Sequence, residues 1–170
     1  MTDDTPVVDV EPLKTIVVGY DGTRPAERAL ARAAELARAF AATVVVADVA
    51  APEPVETTPP GAFGLTPYYG FPTGRDMHGD DALWREHRGR VEALLARHGV
   101  RHEFAGVVGQ PAAEIVDVAE QHDADLIVVG TREPGLLTRL LEGSTSQGVA
   151  RRARCDVLIV HPSREEPPGS

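Results

Sequence analysis

Lysine is nearly absent from this 170-residue chain: of its 17 basic residues only Lys14 is a lysine, and it precedes the first apolar run. A Walker-type phosphate loop, GxxxxGK[ST], needs a lysine that reaches the terminal phosphates, so that class is excluded. The dinucleotide fingerprint GxGxxG is missing as well. Cysteine is just as scarce. Cys155 stands alone, which excludes an intrachain disulfide and a multi-cysteine metal site and agrees with a reducing compartment. The six histidines are scattered from 78 to 161, so no metal site is expected. No apolar run reaches the roughly 18 residues that a membrane-crossing helix needs. A net charge of −9 argues against nonspecific binding to nucleic acid or to an anionic membrane, since both want a basic face. The opening residues MTDDTPVVDVEP lack the basic and then apolar order of a signal peptide, which makes the cytoplasm the expected location.

What is present has the composition of an ordinary globular protein, 42% hydrophobic and 25% charged, with length for one domain. Residues 1–12 and 163–170 read as polar, frayed tails around a domain at 13–162. Inside it, 14–20 (KTIVVGY) is a short β-branched run that ends in Asp-Gly, a buried strand and a turn. Residues 25–42 place Leu30, Ala33, Ala37 and Phe40 at helical spacing, and 43–49 (TVVVADV) is a second buried strand. Residues 50–79 break the pattern with prolines, glycines and threonines around PYYGF, a long irregular loop of the kind that is uncommon without a function. A helix over 80–98 follows, with Leu83, His87, Val91 and Leu94 as its apolar stripe. Then come a strand at 100–108, a helix at 111–121 with proline at its first position, and a strand at 126–129. A helix at 144–154 and a strand at 156–161 (DVLIVH) complete the order. Trp84, Tyr68 and Tyr69 read as packing residues, and Cys155 as a small apolar one.

Five short apolar strands separated by helices predict an α/β fold, a single-domain parallel five-stranded sheet with helices on both faces. Right-handed crossovers favour the strand order 3-2-1-4-5. Ligands bind such sheets at the carboxyl ends of the strands where the order reverses, here between the first and fourth strands. Two loops meet there: Gly19-Tyr20-Asp21-Gly22, and the stretch from 130 to 144, GTREPGLLTRLLEGS.

That stretch resembles the universal stress protein family, whose nucleotide-binding members carry G-x-x-G, nine residues, then G-[ST]. Gly130 matches the first glycine and Gly143-Ser144 the closing pair at the right distance, while Glu133 stands where the middle glycine belongs. The resemblance extends to IVVGYDG at 16–22 and RRARCDVLIVH at 151–161, and covers all but the tails and the 50–79 loop. It implies ATP-contacting roles for Asp21, Val49, Val129, Gly130, Gly143, Ser144, Thr145 and Ser146. By residue type, Asp21 can accept hydrogen bonds from a ribose or an adenine, and Val49 and Val129 offer apolar walls to a base. The N–H groups at 143–146 open a helix whose positive end favours an anion. Gly19 and Tyr20 join the site through the first loop, and Arg132 and Arg139 are nearby cations. Each has a plainer alternative: Asp21 as a turn residue, Ser144 as a helix cap, the arginines as solvated charges.

Glu133 bears on which nucleotide fits. A Cβ at that position disfavours the torsions a glycine would take, and its carboxylate opposes a triphosphate. AMP or cyclic AMP, with fewer phosphates, meets less repulsion than ATP, which would bring Mg with it. Some relatives in the family bind cyclic AMP, and the DVLIVH end is similar to theirs. The resemblance implies a regulatory stress-response module that is not an enzyme, dimerising through strand 156–160. The alternatives are a nucleotide-free member working through protein contacts and a slow ATPase with Glu133 as base.

Overall fold

The structure, a computed structural model, describes residues 11–50, 82–131 and 145–162, with the backbone alone at Leu83. Strands β1 (Thr15–Tyr20), β2 (Thr43–Ala50), β3 (Arg101–Val108), β4 (Leu126–Gly130) and β5 (Asp156–Val160) form one parallel sheet of order β3-β2-β1-β4-β5. The expected order and fold class are those of the structure. Helices α1 (Arg24–Phe40), α2 (Ala82–His98), α3 (Pro111–Gln121) and α4 (Thr145–Arg152) alternate with the strands.

Alternation along each strand sorts the core into two layers. Ile16, Val18, Tyr20, Val44 and Val46 point to one face and pack on Leu30, Ala33 and Ala37 of α1 and Val91 and Leu95 of α2. Val17, Val45, Ala47, Val49, Ile127 and Val129 point to the other and pack on Ile115 and Val118 of α3 and Val149 of α4. With both faces covered, the central strands carry unbroken valine runs, as buried parallel strands do. Helix α1 buries five alanines, and small side chains let it lie close to the sheet. It carries Pro25 in its first turn and stops at Ala41, whose left-handed φ of 56° turns the chain into β2.

Two expectations need correction. The buried stripe of α2 runs through His87, Val91 and Leu95; Leu94 packs against the same core but is only partly buried, because the covered face centres on Val91 and Leu95 and leaves Leu94 at its margin. Phe40, the last residue of α1, is 54% exposed instead of being buried with Ala33 and Ala37. The segment 51–81, including most of the predicted 50–79 loop, and residues 1–10 and 163–170 of the tails fall outside the described residues. None of the described helices is long and apolar enough to cross a membrane.

Candidate functional site

The carboxyl ends of β2, β1 and β4 lie side by side on one rim of the sheet. Val49 and Val129 are both buried on the α3–α4 face. Gly19 sits on β1 between their strands, facing Ile115 and Val129. The result is an apolar wall whose middle strand ends without a side chain. Helix α4 begins at Thr145 on the same face, and Ser146 is buried at 8% exposure in its first turn. Its first N–H groups have no partner within the helix, so this end of the wall offers donors and a positive dipole end. Of the expected site residues, the structure therefore brings Gly19, Val49, Val129, Thr145 and Ser146 to one face.

Gly130 closes β4 at a point where nothing larger fits. A Cβ there would stand 2.1 Å from the carbonyl oxygen of Pro25, in the first turn of α1. Beyond it, the Thr131 amide donates to the Val160 carbonyl at 3.0 Å, so pairing with β5 extends one residue past β4. The Thr131 carbonyl in turn accepts from the Arg28 guanidinium at 3.1 Å. Sequence reading missed Arg28, because a helix arginine 103 residues away carries no local signal of contact with this loop. It places a part-buried cation at the start of the expected phosphate segment.

Asp21 is exposed, and its Oδ1 accepts from the Thr23 amide at 3.1 Å and the Thr23 hydroxyl at 2.6 Å. Both the turn role and an outward carboxylate are compatible with that geometry. Tyr20 goes elsewhere. Its side chain is 2% exposed on the α1–α2 face, away from Val49 and Val129, and meets the His87 ring edge-on at 5.3 Å. Its hydroxyl is buried and makes no hydrogen bond among the described residues. Burial raises its pKa, helped by Glu27, Asp48 and Asp21 and opposed by Arg90.

Asp48 and His87 form a second feature that the sequence reading did not connect. His87 Nδ1 lies 2.9 and 3.0 Å from the two carboxylate oxygens of Asp48, and both residues are buried. The signal was present: a charged residue inside TVVVADVA must find a partner when the strand is covered on both faces. Arg132, Glu133, Arg139, Gly143 and Ser144 lie outside the described residues.

A groove of about 400 Å³ lined by Val116, Ile127, Ala153 and Cys155 opens at the opposite, amino end of β4 and β5. The strand-end rule places ligands at the other rim, and the residues gathered there agree. No three His, Cys, Asp or Glu side chains are placed to hold a metal among the described residues.

A doubly wound parallel sheet with an apolar wall, a helix start and a glycine constriction at its switch point defines the class of protein. Its sequence then places it within that class: the universal stress protein family model matches residues 12–161, and the chain belongs to that family. It is 37% identical over 147 residues to a universal stress protein of Thermus aquaticus, covering 86% of this chain and 98% of that one. Among solved structures it is similar to a universal stress protein in complex with cAMP, at 33% identity and a TM-score of 0.62, covering 90% of this chain and 100% of that one. It is also similar to the Archaeoglobus fulgidus universal stress protein in complex with dAMP, at 26% identity and a TM-score of 0.59, covering 88% and 98%.

Proposed function

We propose that this chain binds an adenine nucleotide at the carboxyl rim of β1, β2 and β4 and works as a regulatory module rather than an enzyme. The observation that carries this reading is the convergence of Val49, Gly19 and Val129 with the start of α4 on one face. The adenine would lie on the valines, Asp21 would accept from the ribose, and the phosphate would meet the N–H groups of Gly143, Ser144, Thr145 and Ser146. Arg28 and Arg132 would supply positive charge. Two similar structures hold cAMP and dAMP, both monophosphates, which supports a preference for AMP or cyclic AMP over ATP. Glu133 gives that preference a physical cause, since a carboxylate beside the phosphate segment repels a triphosphate more than a monophosphate.

Two copies would pair through β5, which borders the described sheet on one side and carries half-buried Val157, Leu158, Ile159 and Val160. An open apolar strand edge is a ready template for pairing.

Thermal unfolding with AMP, cyclic AMP and ATP tests the nucleotide claim, because a ligand that binds the folded state raises its stability by mass action. Stabilisation is expected with AMP or cyclic AMP and less with ATP, and Glu133→Gly should narrow that gap. No stabilisation by any of the three at millimolar concentration would overturn the reading.

A further inference from the structure

The Asp48–His87 pair lies beside the site without belonging to its wall. A buried ion-pair-type contact is a weak source of stability, since well-packed apolar residues of the same size often serve as well. What such a pair does supply is orientation. Asp48 holds His87 Nδ1 with both carboxylate oxygens, which fixes the ring about its own axis, and the Tyr20 ring abuts it at an interplanar angle of 89°.

The opposite edge of the fixed ring faces the turn that carries Asp21. A Cβ at Gly22 would stand 2.4 Å from His87 Nε2, 3.0 Å from Cδ2 and 3.2 Å from Cε1. The imidazole thus occupies the space that a side chain at 22 would fill. Gly22 also has a φ of +74°, a region that costs other residues roughly 1 kcal/mol or more, so glycine is required here on two separate grounds. The ring forms the floor of the turn, and across Gly22 the Thr23 amide and hydroxyl both donate to the Asp21 carboxylate.

We infer that His87 is a positioning residue for the candidate site. Oriented by Asp48, it sets the height of the Asp21–Gly22 turn, and it thereby links the docking of helix α2 to the group that would meet the ribose. This rests on the nucleotide reading for its functional half, and on geometry for its structural half. Coupling of this kind is reciprocal: a nucleotide held by Asp21 stabilises the docked α2, and undocking α2 weakens the nucleotide.

His87→Asn separates orientation from support. An Asn amide nitrogen can replace Nδ1 toward Asp48, but it lacks the far ring edge that meets Gly22. The expected result is a folded protein with a melting temperature close to wild type, an AMP Kd raised about tenfold, and shifted amide resonances for Gly22 and Thr23 in the ligand-free protein. Gly22→Ala approaches from the other side. In wild type it should weaken AMP by more than in the His87→Asn background, where the colliding ring edge is gone. An unchanged AMP Kd together with unmoved Gly22 and Thr23 resonances in His87→Asn would overturn the inference. Equal effects of Gly22→Ala in both backgrounds would overturn it too. If the wild-type chain binds none of AMP, cyclic AMP and ATP, the nucleotide reading falls, and the resonances alone decide the positioning role: shifted amides support it and unmoved amides refute it.

Discussion

Asp125 and Asp48 are carboxylates held at opposite ends of the same sheet. Asp125 precedes β4 at the amino end, where one oxygen accepts from the backbone amides of Lys14 and Thr15 at 2.7 and 2.9 Å. Its own amide donates to the Thr15 carbonyl at 3.0 Å. It staples the starts of β1 and β4 together and leaves no side chain aimed at a ligand. Asp48 lies near the carboxyl end of β2. It reaches to a side chain on α2, which lies against the turn of the candidate site. The amino end of the sheet is organised for closure through backbone contacts. The carboxyl end is organised through side chains whose placement matters to whatever sits on the rim.

The sharpest way to break this comparison is to remove each aspartate in turn. Asp48→Ala leaves the buried His87 ring without its hydrogen-bond partner and should cost about 3 kcal/mol, the upper end for an unsatisfied buried group. AMP affinity should fall with it, as read by denaturant unfolding and titration side by side. Asp125→Ala should cost less, about 1 to 3 kcal/mol, because its acceptor bonds are charge-assisted but only partly shielded from water. Its AMP Kd should stay within twofold of wild type. An Asp125→Ala protein that loses nucleotide affinity while folded would erase the distinction between the two ends.

A smaller effect is expected at Tyr20. Its hydroxyl is buried without a hydrogen bond among the described residues, so Tyr20→Phe should change stability near neutral pH by no more than about 1 kcal/mol. The difference appears at alkaline pH. Burial lifts the phenol above its ordinary value, so the folded state keeps this proton to higher pH than the unfolded chain. The stability that results is complete below the ordinary phenol value of about 10 and is lost as pH rises through the folded one. Tyr20→Phe should flatten that loss in a pH series of melting temperatures. The smallest effect concerns Cys155 at the amino-end groove. Burial raises its thiol as well, so iodoacetamide at neutral pH should alkylate it more slowly in the folded than in the unfolded chain.

Much of this architecture was legible in the sequence because parallel strands covered on both faces write themselves as valine runs. IVV, TVVV and LIVV mark β1, β2 and β4, and the crossover rule then restricts the order. Val49 and Val129 came from the family resemblance, and the structure buries both on one face of the sheet. Partners brought together by folding were not legible. Asp48 and His87 are 39 residues apart, and Arg28 and Thr131 are 103 apart. Tyr20 was assigned to the rim because it adjoins Asp21, yet strand alternation turns its side chain to the opposite face. Parity along β1, counted from buried Ile16 and Val18, was enough to place it there.

The central claim is that the carboxyl rim is where a ligand acts. Amide resonances recorded during titration with AMP test it most directly. Changes confined to Gly19–Thr23, Val129–Thr131 and Thr145–Val149, with Thr15 and Asp125 unmoved, are the expected result. Changes centred on the amino-end groove around Ile127 and Cys155, or none anywhere at millimolar AMP, would contradict it.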